Sequence, residues 1–258
     1  DTLSQLIRTA FIPSAGRQFI VTDFSAIEAR VLAWLAGEQW VLDVFATTGK
    51  IYEATASQMF GVPVEKIVHG NPEYELRQRG KVATLACGYQ GSAGAMARMD
   101  IQHKIDPAQY PELVAKWRAA SPRIVQYWYD VERAALRALK TGLPSTVGCV
   151  TYRHENDGRR DFLTCELPSG RKLFYVAPFL TENRFGKEAI GYWGQDQTTK
   201  KWSQMETYGG HSTENICQSF ARDCLMVAIQ RLEAAGFPVV MHIHDEVVLD
   251  CPMDKTLD

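Results

Sequence analysis

Close to the end of the chain, residues 239–250 read VVMHIHDEVVLD. Apolar, mostly β-branched residues stand on both sides of a polar knot: Val239, Val240 and Met241 before it, Val247, Val248 and Leu249 after it. That pattern predicts two short strands with His244-Asp245-Glu246 at the turn between them, a β-hairpin against which other parts of the chain must pack. A polar turn of this kind is either a solvated loop or the tip of a functional site carried on rigid strands.

A second acid stands in a matching position near the start. Residues 17–23, RQFIVTD, read as a strand ending on Asp23, and AIEARVLAWLAG (26–37) follows as an amphipathic helix with Ile27, Val31, Leu32 and Leu35 on one side and Gly37 as its stop. Asp23 is either an N-cap for that helix or a carboxylate held at a strand end for other work. It lies 222 positions from Asp245. Two acids on neighbouring strand ends would suit a pair of Mg²⁺ ions, which prefer carboxylate and phosphate oxygens.

A third constellation is RQRGKVATLACGY, residues 77–89. Arg77, Lys81, Leu85 and Tyr89 recur every four residues, which on a helix makes one slowly winding stripe. The two cations could grip a triphosphate, Arg77 as a fork and Lys81 as a point charge, and Tyr89 offers a flat ring for a base or sugar. The bland alternative is a solvated basic face above a buried tyrosine. Gly80 and Gly88 each cost about 1 kcal/mol relative to alanine inside a helix, a cost easier to understand if something approaches the backbone closely. The window 77–123 carries eight Lys or Arg against three acids, a local basic zone that favours a polyanion partner.

Composition adds limits. With 46% hydrophobic and 22% charged residues in 258, the chain is globular, as one large domain or two small ones. Its net charge of −2 gives no whole-chain argument for nucleic acid. Six cysteines without a CxxC read as reduced thiols rather than as a disulfide framework or zinc ribbon. No apolar run approaches the roughly 20 residues of a membrane span, and no signal peptide opens the chain. A start at Asp1 without methionine reads as a fragment or an excised domain.

The remaining stretches predict a mixed α and β layout. Short helices are expected at 50–60, at about 73–89 as one long stretch, across 107–141 and at about 212–235. Residues 143–208 are richer in turns and strands, with a hairpin candidate in CELPSGRKLFYV (165–176). YDVE (129–132) contains an Asp-x-Glu pair, but on a helical pattern without a second acid motif, and reads as a solvated face.

DFSAIEAR (23–30), RQRGKVATLACGY (77–89) and HDE (244–246), in this order, resemble motifs A, B and C of family A DNA polymerases, the group of bacterial DNA polymerase I and related phage replicases. LIRTAFIPSAGRQFIVTDFS ahead of the first motif and TASQMFGVP between the first two are similar to the family as well, so the resemblance covers most of residues 3–92 and 210–250. The middle matches more loosely, in a manner closer to phage members. The resemblance implies an α+β fold: a palm of antiparallel sheet with flanking helices over 1–40 and 141–258, and helical fingers over 41–140. The thumb and a proofreading domain would lie upstream of Asp1, and some C-terminal palm would be missing.

The same resemblance implies roles. Asp23 and Asp245 match the metal-binding catalytic aspartates, the Phe24 carbonyl a backbone metal ligand, and Glu246 a supporting acid. Arg77 and Lys81 match the cations that hold the incoming triphosphate, Tyr89 the ring near the templating pair, and Glu28 the steric gate against a ribose 2′-hydroxyl. His244 matches a residue near the primer terminus, and Arg30, Gln218 and Arg222 fall in or near stretches that contact DNA or brace the site. The implied cofactor is a pair of Mg²⁺ ions, with Mn²⁺ as a substitute. The implied partners are primer-template DNA and deoxynucleoside triphosphates. A monomer is expected, with a processivity factor as a further partner, in the cytoplasm of a bacterium or phage-infected host and with no membrane.

Three departures from the family pattern stand out: Leu85 replaces a usual aromatic, Gln90 a common glycine, and Lys50-Ile51-Tyr52 an Asp-Ile-His-like element, so that Tyr52 stands where a histidine would touch the triphosphate. Two rival functions remain open. One is a metallohydrolase using HIHDE (242–246). The other is a fragment that binds primer-template without turning it over. A single-subunit RNA polymerase is a weaker relative, because Glu28 argues for deoxynucleotides.

Overall fold

The structure is a computed structural model that describes residues 8–255; residues 3–7, where the stretch similar to the family begins, lie outside them. In chain order, strand β1 (Arg17–Asp23) is followed by helices α1 (Ile27–Ala36), α2 (Gln39–Thr47), α3 (Ile51–Phe60), α4 (Leu76–Cys87), α5 (Ala93–Met99), α6 (Tyr110–Ala120) and α7 (Pro122–Thr141). Strands β2 (Ser145–Val147), β3 (Val150–Asn156), β4 (Asp161–Glu166), β5 (Lys172–Glu182), β6 (Glu188–Gln195) and β7 (Trp202–Thr207) come next, and helix α8 (Gly209–Ala234) leads to β8 (Val239–Ile243) and β9 (Glu246–Pro252). The expected α+β class is what forms. The chain divides into two compact units, one made of the stretches up to Ile27 and from Ser219 onward, the other of Glu28–Gln218.

The smaller unit is built on a three-stranded antiparallel sheet of order β1-β9-β8. β1 and β9 pair from Arg17↔Pro252 to Asp23↔Glu246 without a slip. Because side chains alternate across a strand, one face carries Ile20, Val247, Leu249 and Cys251, which pack with Leu225 of α8 into a buried core. The Asp23–Glu246 pair falls on the other face.

The larger unit holds a six-stranded antiparallel sheet in sequential order, β2 to β7. Its inner face, including Val150, Tyr152, Leu163, Cys165, Tyr175 and Ile190, packs against Tyr127, Val131, Ala134, Ala135 and Ala138 of α7. The expected hairpin at 165–176 forms as β4 and β5, but the sheet around it is much larger than the sequence suggested. α7 starts at Pro122, where a missing amide hydrogen costs nothing. Its next two amides, of Arg123 and Ile124, donate to the buried Glu38 carboxylate at 2.9 and 3.3 Å. Glu38 thereby satisfies helix-terminal donors from 85 residues away in sequence.

Several boundaries differ from expectation for identifiable reasons. The stretch from about Glu73 to Tyr89 is not one helix. Pro72 opens a 3₁₀ turn, Pro72–Glu75, and the α-helix runs only over Leu76–Cys87. Beyond it, the Gly88 carbonyl accepts the Trp128 indole N–H at 2.8 Å, and Gln90 sits in the left-handed region at φ +64°. Tyr89 therefore follows α4 rather than ending its stripe. Glu246 is the first residue of β9 instead of part of the turn. Gly37 ends α1 as expected, at φ +67°.

Candidate active site

In the smaller unit, strand pairing brings three acids together from opposite ends of the chain. Asp23 closes β1 directly opposite Glu246, the first residue of β9, and Asp245 precedes Glu246 in the turn. Directly opposed antiparallel residues have Cα atoms about 4.5–5.5 Å apart. The Phe24 amide donates to the Asp245 carbonyl at 3.5 Å, which ties the two strand ends at the position where the backbone of Phe24 was expected to contribute a ligand. Asp23 is exposed, and Asp245 and Glu246 are half-buried. Among the described residues none of these three carboxylates has an ion pair or a side-chain hydrogen bond. Asp23 and Glu246 are thus opposed across the pair with Asp245 next to them in the turn, and carboxylate oxygens are the ligands that hard cations take.

His244 occupies the turn at φ +54°, exposed. His242 does not join the acids: the Arg222 guanidinium lies against its ring, with Nη1 and Nη2 3.2 and 3.3 Å from the two ring nitrogens. Among the described residues no group of three or more His, Cys, Asp or Glu is placed so as to hold a metal ion. With His242 engaged by Arg222, HIHDE is short of the several protein ligands a transition-metal centre needs.

The larger unit carries the cations. Arg77 and Lys81 stand one turn apart on α4, and both approach the Tyr52 ring of α3, at 5.4 and 6.0 Å from its centroid. The close crossing of these helices accounts for Gly80: a Cβ there would lie 2.3 Å from the Tyr52 carbonyl oxygen. The approach to the backbone expected from the glycine thus comes from another helix. Leu85 is 48% exposed. The Tyr89 hydroxyl donates to the Glu28 carboxylate at 2.8 Å. Burial pushes the Tyr89 phenol well above its ordinary range, with Cys217 and Glu28 acting in the same direction, so it remains a donor to Glu28 at neutral pH. Arg30 lies over the Phe45 ring at 4.2 Å, and Gln218 is exposed with a long contact to Glu214 at 3.5 Å.

Two contacts had no signal in the sequence. Arg77 donates from Nε to Glu53 at 2.8 Å, which raises its already high pKa chiefly through that hydrogen bond. Gln90 accepts the Gly210 amide at 2.9 Å, 120 residues away. Neither partner lies near enough in sequence for spacing to reveal it.

Comparison with known proteins gives a consistent result. The family model described as DNA polymerase family A matches residues 1–147. The DNA polymerase of Bacillus phage SP02 is 53% identical over 256 residues, covering 98% of this chain and 38% of that protein. Thermostable DNA polymerase I of Thermus aquaticus is 26% identical over 257 residues, covering 98% of this chain and 25% of that protein. The chain thus spans well under half the length of these relatives. Among solved structures, the POL domain of Pol1 from M. smegmatis, in complex with DNA primer-template and dNTP, is similar in fold, with a TM-score of 0.59 at 22% identity over 96% of this chain and 36% of that one. The three motifs, the matched model and the shared fold agree: the chain belongs to family A of the DNA polymerases.

Proposed function

We propose that the protein of which this chain is a part extends a primer 3′ end on a DNA template, adding deoxynucleotides and releasing pyrophosphate. The observation that carries this reading is that strand pairing across 223 positions of sequence sets Asp23 opposite Glu246, with Asp245 next to it in the turn. In a chain of this family, such a cluster is suited to two Mg²⁺ ions, or Mn²⁺ in their place. When bound, these ions would supply activation of the primer oxygen and charge stabilisation at the leaving group. Asp23, Asp245 and the Phe24 carbonyl would hold them, with Glu246 supporting the carboxylates.

The remaining residues bind and orient. Arg77 and Lys81 take the triphosphate and offset the charge that develops on the departing pyrophosphate. Tyr89 presents its ring to the nascent pair and, through its hydroxyl, fixes Glu28 as the gate that excludes a ribose. Tyr52 backs both cations in place of the family's histidine. Helix α4 closes over a pair of the right shape, so that fit selects the base. His244, Arg30, Gln218 and Arg222 lie along the primer-template. Residues 1–40 and 141–258 act as palm and 41–140 as fingers, in a monomer that works in the cytoplasm of a bacterium or an infected host.

The test is primer extension with Mg²⁺ and the four deoxynucleotides, run beside Asp23→Ala and Asp245→Ala. Both variants should lose extension by several orders of magnitude while melting close to the parent, since each substitution removes an unpaired like charge. Wild-type extension by either variant overturns the metal assignment. Binding of primer-template without extension by the parent protein would leave only a binding role.

A further inference from the structure

Helix α3 supplies two neighbouring side chains to the cations of α4. Tyr52 gives the ring against which Arg77 and Lys81 both lie, and Glu53 takes the Nε hydrogen of Arg77 at 2.8 Å. The Glu53 side chain is 15% exposed, so the carboxylate is held in the body of the unit, whereas that of Arg77 is 32% exposed. An arginine has five N–H donors in a rigid planar fork. Only the Nε edge of Arg77 is used: among the described residues its Nη1 and Nη2 make no hydrogen bond, and Lys81 makes no ion pair. Like charges four residues apart on a helix repel, and a carboxylate at one of them offsets that repulsion.

We propose that Glu53 is a positioning residue for triphosphate binding: it holds Arg77 by the Nε edge, against Tyr52, so that the two Nη groups stay free beside Lys81 as a preformed fork for the phosphates of a nucleoside triphosphate. The inference rests on the polymerase reading above. A free arginine must be ordered when it binds, at a cost of roughly a factor of two to ten in affinity per side chain. Glu53 removes that cost beforehand. A carboxylate beside a phosphate-binding arginine could instead act as a competing anion, and this role makes the opposite prediction, because its removal would strengthen triphosphate binding.

The two are separated by titrating dGTP, with Mg²⁺, into the protein bound to a dideoxy-terminated primer-template whose next template base is cytosine. Inorganic tripolyphosphate serves as a competitor in a parallel series. Glu53→Ala is expected to weaken dGTP and tripolyphosphate together, by up to about tenfold, with primer-template affinity unchanged. Glu53→Gln keeps an acceptor for Nε and should recover most of the loss. In an Arg77→Ala background, Glu53→Ala should add nothing.

If Arg77→Ala weakens dGTP but Glu53→Ala leaves it unchanged or tightens it, the positioning role is wrong and the polymerase reading stands. If Arg77→Ala itself has no effect, the assignment of the triphosphate to this helix fails, and the role of Glu53 with it. Should Glu53→Ala fail to fold, Glu53→Asp keeps the charge and draws the carboxylate back from the Arg77 Nε by one methylene. It should show a comparable loss of dGTP affinity, and wild-type affinity there overturns the proposal.

Discussion

Replacing Gly80 with alanine adds a single methyl group at the crossing of α3 and α4. A Cβ at this position would lie 2.3 Å from the Tyr52 carbonyl oxygen, 2.9 Å from the Ala56 nitrogen and 3.0 Å from the Ala56 Cβ. Two of these three obstacles are backbone, so no rotamer change relieves them, and the helices must part by about an ångström. Overpacking of this kind costs about 1–3 kcal/mol, and the unyielding contacts put this case at the upper end. The better helix propensity of alanine returns about 1 kcal/mol. The net loss is therefore about 2 kcal/mol, which in a unit of this size lowers the melting temperature by roughly 4–8 °C. Thermal and urea unfolding measure that directly. The same displacement carries Tyr52 and Glu53 away from Arg77 and Lys81, so dGTP affinity should fall alongside stability. A Gly80→Ala variant as stable as the parent, with unchanged nucleotide affinity, would refute the reasoning at both steps.

Other outcomes follow from single residues. Glu28→Ala should raise ribonucleotide incorporation relative to deoxynucleotide, and Tyr89→Phe, which keeps the ring but removes the hydroxyl that holds Glu28, should do so more weakly; competition assays with both sugars decide this. Leu85→Tyr should shift selection toward dideoxynucleotides, because leucine can neither stack nor offer a hydroxyl in place of the missing 3′ group; an unchanged chain-termination ratio would mean that this residue does not face the sugar. Burial holds the Glu38 carboxyl above its ordinary pKa despite two amide donors. A carboxyl raised in the folded state binds more protons there than when unfolded, so its contribution to stability is present at low pH and declines as pH rises from about 4.5 through the raised value. Glu38→Gln should remove that part of the pH dependence of melting while still accepting from Arg123 and Ile124, and Glu38→Ala should cost about 1–3 kcal/mol by leaving buried donors unpaired.

What the sequence disclosed depended on how local the signal was. β1, β8 and β9 are short runs rich in β-branched residues that break at the acids Asp23, Asp245 and Glu246, and α1 has apolar spacing with Gly37 as its stop, so pattern alone located them. The sheet of β2–β7 was less legible. β3 reads VTYRHEN, in which only Val150 and Tyr152 are buried, and the aromatic and polar residues of its neighbours give an irregular alternation. β5 also shifts register between Val176 and Phe179, which breaks the period of two. At the site, motif residues were visible because a resemblance carried them. Their supports were not: Glu53 meets Arg77 across 24 residues, Tyr89 meets Glu28 across 61, and Gln90 meets Gly210 across 120. Such pairs are set by which helices cross, and spacing along the chain has no access to that.

The pairing of β1 with β9 also fixes an order of events during synthesis. Among the described strands β1 is made before all the others, yet the strand it bonds, β9, is made after them, and β9 must in turn lie between β1 and β8. At about 5–20 residues per second, roughly 10–45 seconds separate completion of Asp23 from arrival of Glu246. Throughout that interval β1 has no strand partner and carries Phe19, Ile20 and Val21 in a row. Nascent chains in this window would be open to wrong pairing or to chaperones, and Asp23 cannot meet Glu246 until all the residues between them have been made.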